Sequence, residues 1–336
     1  MAWYHIPGNE QDVVVSTRVR FARNLAAYPF TPRLDAPRAK EIVSRVGEVL
    51  EKNGFSCVDF ADISRITAQS LVEKHYASPA FVRESLPHAL FLNEPCNLSV
   101  MVCEEDHLRL QCILSGLSLR DAYAGACKVE TLLDEALELA FDQRLGYLTG
   151  CPTNLGTAMR ASVMLCLPLL TAGGRMESLA LQLGQMGLLM RGLYGEGTAA
   201  SGALYQISNR VTLGLTEEDI LDRLENAVGQ MVATERRLRT AIMGVELDKL
   251  TDRVRRAEGI MRYAHTLTAA EMLDRLTDLR LGASMGLTEI RVEALTSLLV
   301  EAMPATLTTG AETPPKHDHD RDVLRARVVK ERLFGV

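Results

Sequence analysis

Arginines recur along this chain in segments whose residue pattern predicts β-strands. Arg18 and Arg20 lie in Val13 to Phe21, which begins β-branched and then alternates as a strand does. Side chains two residues apart on a strand point to the same face. A rigid strand can present the planar guanidinium fork that binds phosphate oxygens in a bidentate manner. The alternative for this pair alone is a solvated strand face. Of three further arginines, Arg109 lies in one predicted strand, Arg160 opens another, and Arg191 precedes a glycine-rich turn.

Acidic residues cluster immediately before one of these strands. The segment Cys103 to Arg109 reads CEEDHLR and contains Glu104, Glu105 and Asp106 in succession. Adjacent carboxylates repel each other, which raises the pKa of one of them and suits a general base. The alternative is an acidic turn without a chemical role.

Two turn-rich segments supply the remaining candidate groups. Cys151 precedes a proline in GCPTNLGT, where its thiol could be exposed and become a thiolate near arginines. The alternative is a buried structural cysteine. Glu196 is the acid of RGLYGEG, and a glycine-rich segment of this kind can close over a ligand. The alternative is a connecting turn.

Composition narrows the classes of function. The net charge of −6 and the 5% aromatic content argue against a general nucleic-acid binder. The sequence has no GxxxxGK[ST], GxGxxG or HExxH motif, so any phosphates would be bound by side chains. No apolar run is long enough to span a membrane, and Met1 to Gln11 do not resemble a signal peptide. Seven cysteines without a CxxC pair favour the reducing cytoplasm and disfavour a zinc knuckle.

The predicted secondary structure changes from mixed strands and helices to helices alone along the chain. Strands and helices mix to about residue 215, whereas nearly everything from Thr216 to Glu301 is predicted helical, starting at a Thr216 to Asp219 capping box. This order predicts an α+β body, residues 1–215, followed by a helical C-terminal region, residues 216–336. Predicted strands are Val13–Phe21, Ala89–Leu92, Leu98–Val102, His107–Leu114, Arg160–Leu167 and Gly202–Leu213; predicted helices are Asp35–Asn53, Leu119–Arg144, Met176–Gln185 and Arg321–Leu333, the last following a loop over Pro304–Asp320.

Taken together and in order, the EEDHLR, CPTNLGT and RGLYGEG segments and the arginine-bearing strands resemble the phosphagen (guanidino) kinase family over Val13 to Leu213. Within that family the chain resembles the bacterial protein-arginine kinases of the McsB type. Its first catalytic segment begins within twenty residues of the N-terminus, without the small helical domain of creatine and arginine kinases. The stretch RGLYGEGTAASGALYQISNRVTLG is similar to the bacterial enzymes, and RDVLRA from Arg321 to Ala326 matches their RDxxRA motif.

The resemblance implies a mainly antiparallel sheet flanked by helices and an ATP-dependent phosphoryl transfer to protein arginines, with Mg²⁺ held by the nucleotide phosphates and water and by no dedicated metal site. It also implies roles for single residues. Glu105 would be the catalytic base, Glu196 a second carboxylate on the guanidinium, and Cys151 a contact to it. The ATP phosphates would be bound by Arg18, Arg20, Arg109, Arg160 and Arg191, and an allosteric phosphoarginine by Arg321, Asp322 and Arg325.

Two departures from the family pattern are Cys166, where a histidine near the nucleotide is usual, and Cys103, where asparagine is usual. Neither change removes a charged catalytic group, so we expect an active enzyme. The implied partners are protein substrates, a zinc-binding activator protein, a Clp-type unfoldase that receives the marked substrates, and a second copy in a homodimer; we expect no nucleic acid and no membrane. Two alternatives stay open: a small-molecule guanidino kinase acting on free arginine, and a non-catalytic phosphoarginine-binding adaptor.

Overall fold

The structure, a computed structural model, describes residues 1–193 and 201–336. The strands in chain order are β1 (Val14–Arg23), β2 (Phe55–Asp59), β3 (Ala89–Asn93), β4 (Leu98–Val102), β5 (Leu108–Ser115), β6 (Phe141–Asp142), β7 (Gly146–Tyr147), β8 (Met159–Cys166), β9 (Leu188–Gly192) and β10 (Leu204–Asn209). The helices are α1 (Ala36–Lys52), α2 (Arg65–Glu73), α3 (Leu119–Leu137), α4 (Pro168–Ala172), α5 (Met176–Gln185), α6 (Glu217–Thr240), α7 (Val245–Tyr263), α8 (Ala269–Ser284), α9 (Val292–Glu301), α10 (Pro304–Gly310) and α11 (Asp318–Phe334).

Eight of the strands form one sheet in the order β2-β3-β4-β5-β1-β8-β10-β9. Every neighbouring pair in this sheet is antiparallel. The expected α+β fold with a mainly antiparallel sheet is therefore confirmed. Strand β1, which carries Arg18 and Arg20, lies in the middle between β5 and β8, so the arginines of three adjacent strands can meet.

One face of the sheet is apolar and packs against helices. Val19 and Phe21 of β1 and Val163 of β8 are at most 1% exposed and belong to the largest buried cluster. Helix α3 packs on β1 and β5, and α6 packs on β8 and β10. Full burial of one such side chain contributes about 1.5–3 kcal/mol to folding, which fixes which face of each strand turns inward. The alternate residues of the same strands must then face the other way.

Helix α6 begins with the predicted capping box. The Thr216 side chain accepts a hydrogen bond from Asp219 N, and the Asp219 carboxylate accepts one from Thr216 N. Its buried residues, among them Leu221 and Val228, lie in the cluster beneath the sheet. A boundary at residues 215 and 216 stays a prediction, and α6 is packed as part of the sheet's core.

The later helices build a second buried cluster around α7, α8, α9 and α11. This cluster takes in Val15, Cys166 and Leu204 from the sheet, so the helical region covers one end of it. Cys166 is 2% exposed and lies beside Thr277 and Arg280 of α8. The residue expected near the nucleotide is thus buried under a helix of the C-terminal region.

Helix α3 is shorter than its sequence predicts. It ends at Leu137 and not at Arg144, because Glu138 takes a left-handed conformation with φ of 56°. The Asp134 carboxylate accepts a hydrogen bond from Leu139 N, and Leu139 forms an isolated antiparallel bridge with Leu25, two residues after β1. Tertiary pairing therefore ends a segment whose composition favours a longer helix.

The prediction of a loop over Pro304 to Asp320 is wrong, because this segment contains α10 and the start of α11. Glu73 of α2 accepts hydrogen bonds from Ala305 N and Thr306 N at 2.9 and 2.7 Å. A distant carboxylate thus satisfies the first amide groups of α10, which no local residue signals.

The strand expected over Gly202 to Leu213 is shorter, since β10 runs from Leu204 to Asn209. No helix in the described ranges combines the length and apolarity needed to cross a membrane.

Candidate active site

The polar face of the sheet brings arginines from neighbouring strands together. Arg20 on β1 is directly opposite Arg160 on β8, and Arg109 on β5 is opposite Ala22, two residues beyond Arg20. Residues opposite each other in antiparallel strands share a face, so these guanidinium groups project to one side with Arg18. Arg191 on β9 is opposite Gln206 on the same face. The strands predicted around Arg18, Arg20, Arg109 and Arg160 are therefore found, and Arg191 lies on β9, a strand that the sequence did not predict.

Burial makes this arginine cluster electrostatically unfavourable by itself. Burial and the charges of Arg160 and Arg109 lower the pKa of Arg18 to about 10. Burial and the neighbouring arginines also lower the pKa of Arg20 and of Arg160. The Nε atoms of Arg18 and Arg20 are buried and have no hydrogen-bond partner within the ranges described. Buried, mutually repelling cations with unused donors are suited to an anion with several oxygens, such as a polyphosphate.

A cleft of about 220 Å³ opens over this cluster. Within the ranges described, Arg20, Arg109 and Arg160 line it together with Glu105, so one wall is cationic and has the Glu105 carboxylate at its edge. Thr153 and Asn154 of the CPTN segment form another part of its wall. Arg210 also lines the cleft, and the sequence analysis missed it. The two-residue period of a strand could have indicated it, because Arg210 follows Ser208 by two residues. Ser208 lies on the face of β10 that contacts Arg160.

The two neighbouring glutamates occupy different environments. Glu104 is 3% exposed and accepts hydrogen bonds from Ser78 Oγ and from Arg109 Nη1, the latter at 2.8 Å. The Glu105 side chain is 48% exposed, with Oε2 at 3.2 Å from Arg109 Nη2. Glu104 therefore anchors Arg109 from inside the protein. Glu105, on the cleft side, is the carboxylate that can reach a substrate.

Asp106 ties the acidic segment to the cysteine segment. It is buried, and its Oδ1 accepts hydrogen bonds from Asn24 Nδ2 and from Gly150 N, each at 2.6 Å. Gly150 directly precedes Cys151, whose Sγ lies 3.0 Å from Thr153 Oγ1 in a partly exposed position. The carboxylate of Asp106 thereby sets the relative position of Glu105 and Cys151.

Glu196 lies outside the described residues. Among the residues that are described, no three His, Cys, Asp or Glu side chains are grouped so that they could hold a metal ion. A metal ion used at this site would take its ligands from a bound phosphate and from water.

Residues 38–238 match the model of the ATP:guanido phosphotransferase C-terminal catalytic domain. The chain belongs to the ATP:guanido phosphotransferase family. Residues 247–336 match the model of the protein-arginine kinase McsB C-terminal domain, which places the chain in the protein-arginine kinase branch of that family.

Curated relatives match nearly the whole chain. The protein-arginine kinase of Desulforamulus reducens is 41% identical over 98% of this chain and 95% of its own length. That of Brevibacillus brevis is 39% identical over 98% of this chain and 94% of its own length. Among solved structures, the duplicated taurocyamine kinase of Schistosoma mansoni is similar with a TM-score of 0.61 and 25% identity. That alignment covers 79% of this chain and 43% of the duplicated one, so the chain spans less than half of that protein.

In this family member the RDxxRA motif lies on α11, and its two arginines differ in environment. Arg325 is 1% exposed and donates hydrogen bonds to Ala302 O at 2.8 Å and to Leu267 O at 2.7 Å, besides its ion pair with Asp322. Arg321 is 30% exposed and pairs with Asp318. The three motif residues are close together, but the groups open to a ligand are Arg321 and Asp322.

Proposed function

We propose that this chain is a protein-arginine kinase, which transfers the γ-phosphoryl group of ATP to arginine side chains of proteins. The observation that carries the proposal is the cluster of buried, repelling arginines with unused Nε donors, placed beside the accessible carboxylate of Glu105. Family membership supports the phosphotransfer. The match of residues 247–336 to the C-terminal domain of protein-arginine kinases supports a protein as the acceptor.

In this proposal the arginines bind the phosphates and stabilise the charge that develops during transfer. Arg18, Arg20 and Arg160 project from adjacent strands at fixed spacing, so their donors are oriented before the nucleotide arrives. Arg109 is held by Glu104, and Arg191 approaches from β9. Phosphoryl transfer passes through a loose transition state with charge on its oxygens, so positioning and electrostatics supply most of the catalysis.

Glu105 would accept the proton that the target guanidinium must lose. A guanidinium is protonated at neutral pH, and its nitrogen is nucleophilic only after deprotonation. The nitrogen then forms a bond to the γ-phosphorus, while the bond from that phosphorus to the β,γ-bridging oxygen breaks and its electron pair leaves with ADP. Cys151, held next to Gly150 by Asp106, would contact the guanidinium. Glu196 is proposed as the second carboxylate on that group.

Mg²⁺ bound to the nucleotide would neutralise phosphate charge. We propose that this chain supplies no direct metal ligand, and that its arginines take the phosphate oxygens left free. Phosphoarginine binding at Arg321 and Asp322, with Arg325 supporting that site from inside, is also part of the proposal. A phosphate docked there would bias the active conformation through α11, which packs on α7 and α9.

Further parts of the proposal concern the cell. The modified proteins would be passed to a Clp-type unfoldase, a zinc-binding protein would activate the kinase, and two copies would form a homodimer. All seven cysteines are unpaired, which fits the proposed cytoplasmic location.

The test is a kinase assay with radiolabelled ATP and Mg²⁺ on an unfolded model protein, with free arginine in parallel. We expect acid-labile label on the protein and none on free arginine. Label on free arginine alone would contradict the protein substrate and leave a small-molecule kinase. No label on either, together with no ATP-dependent thermal stabilisation, would contradict catalysis and leave a phosphoarginine-binding adaptor.

A further inference from the structure

Arg210 lines the cleft without a role in the phosphate cluster. It follows β10 immediately, and Ser208, two residues before it, is opposite Ser162 on β8. Continuing this register by two residues places Arg210 next to Arg160, on the face that carries the arginines. Unlike Arg18 and Arg20, whose Nε atoms are buried, Arg210 is exposed. It therefore stands at the outer rim of the cleft.

The backbone on both sides of Arg210 is held in place. Its own N–H donates to Gly187 O at 2.9 Å. Asn209 accepts a hydrogen bond from Ala161 N and donates one to Met159 O, each at 2.9 Å. Thr212 Oγ1 donates to Thr153 O at 3.1 Å, in the CPTN segment that forms the neighbouring wall, and to Leu155 O at 2.7 Å. The backbone position of Arg210 at the rim is thus fixed by the sheet and by the segment that carries Cys151.

The charge of Arg210 has no counterpart within the described ranges. Arg109 is paired with Glu104 and Glu105, whereas Arg210 has no carboxylate within ion-pair distance in that part of the chain. The charges that lower the pKa of Arg160 belong to Arg191 and Arg109, as expected if the Arg210 guanidinium extends outward. A target arginine that enters beside Glu105 brings a second positive charge close to Arg210, and an acidic neighbour on the substrate would offset the repulsion between these two cations.

We propose that Arg210 binds a carboxylate of the protein substrate next to the target arginine, so that the kinase selects arginines with an acidic neighbour. This inference rests on the proposed function and names its substrate class. Glu105 and Arg210 line one cleft of about 220 Å³, so a residue within two or three positions of the target can span from one to the other.

The test uses three peptides that each contain one arginine and differ only in flanking residues, which are glutamate, serine or lysine. The full chain should phosphorylate the glutamate peptide with a kcat/KM about fivefold above the serine peptide, the discrimination that one exposed ion pair provides. The lysine peptide should be the poorest. Arg210→Glu should invert the order, and Arg210→Gln should flatten it, with the KM for ATP unchanged in both. The preference should shrink with added salt.

Arg237→Glu is the matched control, because it makes the same charge change on α6, which packs against the opposite face of the sheet. It should keep the wild-type order of peptides. A wild-type enzyme active on all three peptides without preference would overturn the inference and leave the proposed function standing. A raised KM for ATP in Arg210→Gln with an unchanged peptide order would also overturn it, since Arg210 would then bind phosphate. No phosphorylation of any peptide or of unfolded protein would count against the proposed function itself.

Discussion

Glu104 and Glu105 are adjacent residues of one type, and the structure predicts opposite outcomes for their replacement by glutamine. Glu105→Gln keeps the shape of the side chain and an oxygen for Arg109, but an amide cannot accept the proton of the target guanidinium. Loss of a general base lowers kcat by about 10²- to 10⁴-fold, which is about 2.7–5.4 kcal/mol of barrier. The exposed ion pair that it weakens contributes only about 0–1 kcal/mol to stability.

Glu104→Gln removes a buried charge, which pairs with Arg109 and accepts a hydrogen bond from Ser78. Each hydrogen bond to a buried charged group contributes about 1.5–3 kcal/mol, so we expect a loss of about 2–4 kcal/mol in the free energy of unfolding. Unfolding entropy for 336 residues is about 0.7 kcal/mol per kelvin, so Tm should fall by about 3–6 °C. Glu105→Gln should move Tm by less than about 1.5 °C on the same scale.

The assay pairs initial rates on unfolded protein at saturating ATP with thermal unfolding of the same preparations. We expect Glu105→Gln to lose activity at a nearly unchanged Tm, and Glu104→Gln to lose stability. A Glu105→Gln enzyme with more than a tenth of the wild-type kcat would refute the assignment of the base. Equal Tm values for Glu104→Gln and the wild type would refute the assignment of Glu104 as the buried anchor.

Three further predictions follow from the same geometry. Arg20→Gln should raise the Tm of the nucleotide-free protein, because it removes a buried cation repelled by Arg18, and should abolish thermal stabilisation by ATP; a lower Tm would contradict the stored repulsion. Asp106→Ala should lower kcat by about 10²-fold, because Gly150 loses the acceptor that fixes its position, and a crystal structure or amide exchange at Gly150 would reveal whether the segment moves. The pKa of His75 is about 3, lowered by burial and by the charge of Arg18, against about 6.5 when unfolded. The unfolded state therefore binds the proton first, and stability should fall by up to about 2 kcal/mol between pH 7 and pH 5. His75→Asn, which suits the φ of 63° at this position, should remove that part of the dependence in urea titrations, and parallel curves for the two proteins would disprove it.

Structural features that depend on a few consecutive residues were predicted from the sequence with little error. Strand β1 follows from alternation, and the helix start at Thr216 follows from its capping box. The shared face of Arg18 and Arg20 follows from the two-residue period of a strand. Such features have their cause inside the segment itself, so no distant contact is needed to predict them.

Features that depend on contacts with distant parts of the chain were predicted wrongly or were missed. Helix α10 starts where Glu73, more than two hundred residues earlier, accepts hydrogen bonds from its first amides. Helix α3 stops where Leu139 pairs with Leu25. The spacing of Arg210 from Ser208 indicates only a shared strand face, and the register of β10 on β8 places that face in the cleft.

Residue types and their short-range spacing are enough to predict which chemical groups the protein has and which neighbours share a strand face. The arginines, the acidic run and the RDxxRA helix were predicted in this way. Which of these groups are exposed to water and which are buried in protein depends on the tertiary fold. Glu104 is enclosed while Glu105 is open, and Arg325 is enclosed while Arg321 is open, although each pair lies within one short segment. Burial depends on what packs over a residue, and pieces of the fold far apart in the chain supply that cover.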